Sequence, residues 1–326
     1  MKAVHVTQFG DPSVLSVVDL PDPEPGPGEV SINVTHSAVG LIDVFFRQGL
    51  FKDQAGLPQP PFIPGLEVAG TVRALGDGVA GFTIGEKVVT LSSTGSGGYA
   101  SVLVSNEALV VSTEAYDIDP ALAVAVVPNA AMVYLALTGV AHMTAGESVL
   151  VHGALGGFAS AVPGIARQLG ASQVVGSVRT SKLQAASSTK LPYDKIVDSA
   201  ELPDALDGQA FDIIIDPVGG AVRTQSLDLL APGGRLLLVG NASGEWGNTI
   251  DSNRLWLGSA TVSGFSAGSY IPTHMEELRS ALEAALKATA AGQAEPEVDV
   301  IPLADVVTAH ERMENRSLNG RIVLAP

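Results

Sequence analysis

The chain has no cysteine among its 326 residues. This absence excludes disulfide bonds, a nucleophilic thiol and any thiolate zinc site, and the six histidines show no metal-ligand spacing, so no metal is predicted. Charged residues are scarce, at 16% of the chain, whereas hydrophobic residues make up 46%. Since soluble domains carry about 25% charged residues, this chain has ample material for a core, and extensive disorder is excluded.

Basic residues are few. The chain has 18 Lys and Arg against 34 Asp and Glu, so its net charge is −16. Nucleic acids and anionic membranes would repel such a protein, and neither is predicted as a partner. The first residues carry neither a long apolar stretch nor a cleavage site, so we expect a cytoplasmic protein.

One uncharged stretch, residues 120–146, is long enough to cross a bilayer of about 30 Å. Pro128, Asn129 and His142 interrupt it, and no Lys or Arg flanks it closely. We therefore expect a buried helix at a domain junction rather than a membrane span.

The hydrophobic pattern changes near residue 120. Before it, short alternating strands lie between Gly and Pro turn signals, which is typical of a small β-barrel. After it, apolar strands alternate with helices, which predicts a doubly wound parallel sheet. A last strand at 321–324 is expected to return to the first domain. We therefore predict a Rossmann domain over 121–265, inserted into a β-barrel domain formed by 1–120 and 266–326.

The central motif is VLVHGALGGFAS at residues 149–160, where a strand runs into a glycine turn and then a helix. Gly156 and Gly157 remove side chains where a backbone approaches a pyrophosphate, and the helix N-terminus offers amide groups to the anion. The motif predicts a dinucleotide site, with a purely structural turn as the alternative. Pro163 lies within the expected helix, so the helix is expected either to begin late or to kink.

The loop after the second strand indicates which dinucleotide binds. Residues 176–182 contain no carboxylate to hold two ribose hydroxyls, but they include Ser177, Arg179 and Lys182. A guanidinium and an ammonium group suit a 2′-phosphate, so NADPH is the predicted cofactor. The alternative is a solvated helix start.

The chain resembles the zinc-free quinone oxidoreductase (zeta-crystallin-like) branch of the medium-chain dehydrogenase/reductase superfamily over essentially its full length. The matching segments are 43–49, 64–70, 149–160, 216–220, 239–244 and 302–323. The resemblance implies a GroES-like barrel domain, a Rossmann domain, NADPH in the cleft between them, and a homodimer or homotetramer. Leu66 stands where zinc-dependent relatives have a His.

The resemblance also implies a set of cofactor-binding residues. It places Gly156, Gly157 and Phe158 at the pyrophosphate; Ser177, Arg179, Lys182 and Tyr193 around the 2′-phosphate; and Gly240, Asn241, Gly264, Phe265 and Ser266 at the ribose and nicotinamide. Asn319 is expected to close over the cofactor. For Phe265, core packing is an equally good interpretation.

The chain departs from the family at three polar positions, which are Gly40, Phe45 and Met132 here. Phe45, Phe46 and Met132 would form an apolar substrate pocket for a flat acceptor, although such residues are more often simply core. We also expect an ion pair between Asp43 and Arg47, which lie one helical turn apart.

The predicted function is that of an enzyme, an NADPH-dependent reductase that transfers hydride to a quinone without a metal. A quinone accepts hydride unaided because conjugation already polarises it, and no catalytic residue is assigned. Two alternatives stay open. One is a reductase of activated C=C bonds in enones, alkenals or enoyl thioesters, and the other is a non-catalytic NADPH-binding sensor.

Overall fold

Two units make up the chain in the computed structural model, which describes residues 1–91, 97–202 and 204–326. The first unit comprises Met1–Pro128, Leu278–Ala290 and Glu297–Pro326. The second comprises Asn129–Glu277 and Ala291–Pro296.

The strands of the described residues are numbered in chain order. They are β1 (Lys2–Val6), β2 (Leu15–Asp19), β3 (Glu29–Ala38), β4 (Glu67–Leu75), β5 (Lys87–Leu91), β6 (Val102–Asn106), β7 (Val110–Ser112), β8 (Ser148–His152), β9 (Gln173–Val178), β10 (Lys195–Asp198), β11 (Phe211–Asp216), β12 (Leu230–Leu238), β13 (Thr261–Gly264), β14 (Val298–Pro302) and β15 (Arg321–Ala325).

The α-helices are numbered in the same way. They are α1 (Leu41–Gln48), α2 (Pro120–Leu135), α3 (Gly157–Gln168), α4 (Leu183–Ser187), α5 (Ala221–Ser226), α6 (Ser252–Gly258), α7 (Ala267–Tyr270), α8 (Met275–Ala290) and α9 (Val306–Glu314).

The second unit is built on a six-stranded sheet with the order β10-β9-β8-β11-β12-β13, in which all neighbours are parallel. Counted from its first strand, this order is 3-2-1-4-5-6, the arrangement of dinucleotide-binding sheets. Its core contains one buried residue from each of five strands: Leu150, Val175, Val197, Ile214 and Leu236. These apolar strands are covered on both faces, as parallel sheets require, and the predicted Rossmann sheet is confirmed.

The first unit contains a seven-stranded sheet. Six of its strands follow the order β14-β15-β3-β4-β5-β7, and the seventh, β6, pairs with β3. Its pairs are antiparallel except for β14 with β15, and β1 pairs with β2 separately. The final strand thus joins the sheet of the N-terminal residues, as predicted. The hydrophobic core of the first unit includes Val4, Val39, Phe46, Tyr99 and Ile322.

Helix α2 and the π-helical turn that follows it form one apolar segment, Pro120–Val140. Its length and composition would suffice to cross a bilayer, but 78% of the segment's most apolar window is buried within the protein. The segment is therefore a core helix here, in line with the sequence-based expectation.

Candidate functional site

The glycine-rich turn lies between β8 and α3, where the order of the sheet reverses. Open parallel sheets bind ligands at this switch point, outside the carboxyl ends of their strands. Gly153 has a φ of 65°, a left-handed conformation that favours glycine. Gly156 begins the helix without any side-chain cap, and Ser160 N–H makes a 2.8 Å bond to its carbonyl. The amides of Gly157 and Phe158 therefore have no partner within the helix and can bind an anion.

Helix α3 begins at Gly157 and runs through Pro163, so the late start considered from the sequence is wrong. Proline has no N–H and leaves the Ala159 carbonyl without its helical donor. The hydroxyl of Tyr193 supplies the missing bond at 2.7 Å and also lies 3.2 Å from the Ala154 carbonyl. Tyr193 thus connects the glycine turn to the first turn of α3 through these two hydrogen bonds.

Ser177 belongs to strand β9 and is fully buried. Its hydroxyl lies 2.7 Å from Nδ1 of His152, whose Nε2 lies 2.8 Å from the Ser226 hydroxyl. Because Ser226 donates its own proton to the Val222 carbonyl at 2.8 Å, it accepts from Nε2–H, and Nδ1 accepts from Ser177. Burial lowers the pKa of His152 to about 4 and keeps it neutral.

The side chains of Ser177 and Tyr193 are thus both used in internal hydrogen bonds. The family resemblance placed both residues at a 2′-phosphate. For Ser177 the sequence also interpreted residues 176–182 as a loop, whereas β9 extends to Val178. A cofactor contact for either side chain stays a prediction that this arrangement does not favour.

Arg179 and Lys182 follow β9 directly. Arg179 caps a short 3-10 turn, Thr180–Lys182, and is exposed, whereas Lys182 is half-buried. Both cations therefore lie at the carboxyl edge of the sheet, beyond the strand adjacent to the glycine turn. This is the edge at which a dinucleotide phosphate would bind.

A second pair of loops follows β11 and β12 at the same edge. The carboxylate of Asp216 accepts the amides of Val218 and Gly219, both at 2.8 Å. Arg223 donates to Asp216 at 2.7 Å and to the Gly240 carbonyl at 2.7 Å. The predicted site residue Gly240 is thus held in place by an arginine that the sequence analysis did not single out.

Asn241 is 7% exposed, and its Nδ2 has no hydrogen-bond partner among the described residues. Leaving such a donor buried and unpaired costs about 1–3 kcal/mol, so this atom indicates a missing acceptor. The hydroxyls and carbonyl of a dinucleotide would provide one. Together with the glycine-turn amides and the two cations, Asn241 makes this edge fit a phosphorylated dinucleotide.

Three further predicted residues of the second unit, Gly264, Phe265 and Ser266, line a cavity of about 360 Å³. Its lining consists of Leu238, Gly264, Phe265, Ser266, Ser269, Tyr270 and Thr273. Phe265 is 7% exposed and packs against Tyr270 with ring centroids 5.5 Å apart. Phe265 therefore packs in the interior and also lines the cavity, and its contact with a cofactor stays a prediction.

Tyr270 was not predicted from the sequence. One face of its ring stacks on His274 at 3.9 Å, and its hydroxyl donates to Glu277 at 3.1 Å. Burial and the Glu277 carboxylate raise the pKa of Tyr270. Gly139, in the π-helical turn, provides the space for this hydroxyl, because a Cβ there would overlap it. A π-helical turn is a frequent feature of functional sites, but it has no sequence signal.

In the first unit, Asp43 is buried beside the turn that contains Gly65. Its carboxylate accepts the Gly40 amide at 2.8 Å, the Tyr99 hydroxyl at 2.9 Å and the Gly65 amide at 3.2 Å. Burial raises the pKa of Asp43 to about 7. The side chain thus fixes the start of α1 and the turn before β4.

The predicted ion pair between Asp43 and Arg47 is wrong. Asp43 uses its oxygens on backbone amides and Tyr99, and Arg47 pairs with Glu314 of α9. Arg47 is fully buried, so it needs a carboxylate in contact, and Glu314 provides one.

The three predicted pocket residues belong to different units. Phe46 is buried in the core of the first unit, and Phe45 is half-buried with its ring edge-on to Phe51 at 6.2 Å. Met132 is half-buried on α2 in the second unit, and Asn319 is exposed just before β15 in the first. The contacts of Phe46 favour the core interpretation, and the pocket stays a prediction.

Comparisons with known proteins place this geometry in a family. The family model described as "Alcohol dehydrogenase GroES-like domain" matches residues 26–115, and the model described as "Zinc-binding dehydrogenase" matches residues 169–324. The quinone oxidoreductase of Lama guanicoe is 30% identical to the chain over 333 residues, covering 99% of this chain and 97% of that protein.

Solved structures agree. The Escherichia coli quinone oxidoreductase complexed with NADPH matches with a TM-score of 0.86 at 27% identity, covering 100% of both chains. A mycobacterial protein complexed with NADPH matches with a TM-score of 0.85 at 29% identity, again covering 100% of both. The chain therefore belongs to the quinone oxidoreductase branch of the medium-chain dehydrogenase/reductase superfamily.

Proposed function

We propose that the protein is an NADPH-dependent reductase that transfers hydride to a quinone-type acceptor without a metal. The observation that carries this proposal is the carboxyl edge of the parallel sheet. There the glycine-turn amides, two cations and the unpaired amide of Asn241 together offer donors and positive charge. Two full-length structural relatives are complexes with NADPH.

Different residues of this edge bind different parts of the cofactor. The amides of Gly157 and Phe158 bind the pyrophosphate, where the helix dipole also favours negative charge, while the Gly156 amide donates to the Gly153 carbonyl at 2.7 Å and shapes the turn. Arg179 and Lys182 bind the 2′-phosphate and give preference for NADPH over NADH. When bound, the cofactor supplies the hydride.

A quinone suits the chemistry that the chain can support. Its conjugated carbonyls need no Lewis acid, and a chain without cysteine cannot build the thiolate zinc site of zinc-dependent relatives. The protein's task is then to orient the acceptor and exclude water. Phe45, half-buried on α1, is the side chain proposed to contact a flat acceptor.

The test is NADPH oxidation at 340 nm with a panel of ortho-quinones, para-quinones, enones and enoyl thioesters. We expect turnover with quinones, and a cofactor affinity about tenfold weaker for NADH than for NADPH. Turnover with enones or thioesters alone would overturn the acceptor assignment. Binding without any turnover would favour a sensor.

We also propose that the protein is a homodimer, formed at the edge of the six-stranded sheet. Strand β13 ends the sheet and, among the strands that the structure describes, pairs with β12 alone, so its other side is available to a strand of a second copy. Beside it in the chain, Trp256 and Leu257 of α6 are 77% and 75% exposed. Residues 255–275 contain no Asp, Glu, Lys or Arg, which lets two copies of net charge −16 meet without repulsion.

Light scattering coupled to size exclusion tests the dimer. Trp256→Glu should give a monomer, because it buries a charge in an apolar contact. Ile84→Glu is the matched control, since Ile84 is 72% exposed but lies in the first unit. A monomeric wild-type protein, or a Trp256→Glu variant that stays dimeric, would contradict the proposal.

A further inference from the structure

Arg223 joins the two loops that follow β11 and β12. Its Nε donates to Asp216 Oδ2 at 2.7 Å, and its Nη2 donates to the Gly240 carbonyl at 2.7 Å. Asp216 is fully buried, and the Arg223 side chain is 14% exposed. A planar guanidinium can make both bonds at once because its donors form a fixed fork.

Backbone bonds complete the connection. Ala242 N–H donates to the Pro217 carbonyl at 3.0 Å, and Ser243 N–H donates to the Val218 carbonyl at 2.7 Å. A Cβ on Gly240 would lie 2.9 Å from the Pro217 carbonyl oxygen, so the loops approach as closely as glycine allows. Their relative position is therefore fixed by a small set of contacts, of which Arg223 makes the one charged contact seen between them in the described residues.

The position of Gly219 relates Arg223 to Asn241. Gly219 has a φ of 76°, and a Cβ built on it would overlap Asn241 Oδ1 and lie 3.3 Å from Arg223 Nη2. The Arg223 guanidinium and the Asn241 amide oxygen therefore both lie close to the position that a Cβ on Gly219 would occupy. A positive charge attracts the oxygen of an amide and repels its NH₂, and the Ser243 hydroxyl donates to Oδ1 at 3.5 Å. Both groups therefore favour Oδ1 rather than Nδ2 at this position. Nδ2 is left on the other side as a donor, where it has no partner in the described residues.

The required ligand atom follows from this arrangement. Nδ2 can only donate, so its partner must be an acceptor. The charge of Arg223 is already matched by Asp216, so no net positive charge is left to select an anion. An uncharged oxygen, such as a ribose hydroxyl or a carboxamide carbonyl, satisfies both conditions.

We propose that Arg223 is a positioning residue that aims the Asn241 amide at an uncharged acceptor oxygen on the nicotinamide half of the cofactor. This inference rests on the proposed binding of NADPH. It adds a residue of helix α5 that acts only through Gly240 and Asn241 and lies outside the segments that carry the family resemblance.

Arg223→Lys and Arg167→Lys form the matched pair that tests the proposal. Arg167 has the same chemistry, since it bonds a carboxylate of Asp194 at 2.8 Å and the Pro192 carbonyl at 2.9 Å, but it lies at the amino edge of the sheet. Lysine keeps the charge and loses the fork in both variants. Calorimetric titration with NADPH and urea unfolding are measured for each, together with kcat and KM.

Arg223→Lys should weaken NADPH binding about tenfold. It should raise the KM for NADPH more than it lowers kcat. Arg167→Lys should bind NADPH like the wild type and lose less unfolding free energy than Arg223→Lys, because its ion pair is more exposed. Asn241→Ala should weaken binding to the same extent, and the double variant Arg223→Lys/Asn241→Ala should be no weaker than Asn241→Ala alone, because one residue acts through the other.

Two results would overturn the inference. One is a wild-type protein that binds NADPH while Arg223→Lys binds it equally well, and the other is an additive loss in the double variant. A wild-type protein that binds no NADPH would instead refute the proposed function, and this inference with it. Hydrogen exchange of the free protein gives a further check, since Arg223→Lys should accelerate exchange at Ala242 and Ser243.

Discussion

The amino and carboxyl edges of the parallel sheet use their polar groups in opposite ways. At the amino edge, Arg235 makes a bidentate pair with Glu147 at 2.7 and 2.8 Å, and Ser148 donates twice to Asp212 at 2.8 Å. Arg167 pairs with Asp194. At this edge each of these carboxylates meets a protein donor.

The carboxyl edge instead leaves donors unpaired. The first-turn amides of α3 have no helical partner, and Asn241 Nδ2 has no partner among the described residues. Both edges end the same strands, so the difference indicates that one edge serves stability and the other serves a ligand.

The largest loss of stability is expected when an ion pair at the amino edge is removed. Arg235→Met leaves the Glu147 carboxylate without its guanidinium, and the pKa of Glu147, which that guanidinium now holds below its usual range, should return upwards. The free energy of unfolding should fall by about 3 kcal/mol. NADPH affinity should stay within about twofold of the wild type. Urea unfolding and calorimetry measure the two quantities, and a large loss of affinity would contradict the division between edges.

A pH dependence should come from His152, which supports the carboxyl edge from inside. Burial lowers its pKa from 6.5 to about 4, so the unfolded chain binds a proton that the folded one does not between these values. Stability from this group is complete above about pH 6.5 and is lost as the pH falls to about 4, by roughly 3 kcal/mol. His152→Gln should flatten the pH profile of unfolding in this window, and an unchanged profile would show that His152 is already charged in the fold.

A third comparison uses two glycines of similar φ. Gly219→Ala and Gly208→Ala both place a side chain at a left-handed position, with φ of 76° and 74°. A Cβ at Gly208, on the loop before β11, meets nothing within 4 Å, whereas at Gly219 it overlaps Asn241 Oδ1. Gly208→Ala should lose about 1 kcal/mol of stability from the strained backbone, and Gly219→Ala should lose more because its Cβ also displaces Asn241 Oδ1. NADPH titration should show a loss of affinity, worth about 2 kcal/mol, for Gly219→Ala alone; equal affinities would refute a ligand at this edge.

The smallest effect concerns Tyr193 and Pro163. Tyr193→Phe leaves the Ala159 carbonyl without a donor, because Pro163 has no N–H, and should cost about 1 kcal/mol. Pro163→Ala restores the helical donor, so the double variant should be more stable than Tyr193→Phe alone. A double-mutant cycle by urea unfolding measures this coupling of about 1 kcal/mol. Additive effects would mean that the two residues do not share the carbonyl.

The sequence predicted the elements whose signals are local. Apolar runs predicted the strands from β8 to β12, and residues 153–157 predicted the glycine turn and the helix that follows it. These signals depend on spacing within a few residues, so one sequence contains them.

Contacts between distant residues could not be predicted in the same way. Arg47 pairs with Glu314, which lies 267 positions away in the sequence. Ser177 is buried because β9 extends three residues beyond its expected end, to Val178. Arg223 lies seven residues after Asp216, a spacing with a meaning only once the Gly240 loop is known to lie beside it. Each of these contacts depends on which distant segments pack together in the fold. The sequence around each residue does not contain that information.

Hydrogen exchange with and without saturating NADPH tests the central claim most directly, because it observes both edges in one experiment. We predict slower exchange for residues 153–160, 217–220 and 239–244 when NADPH is bound, with no change at the amino-edge residues 144–147, 194 and 209–212. Protection at the amino edge, or none at the carboxyl edge, would contradict the account.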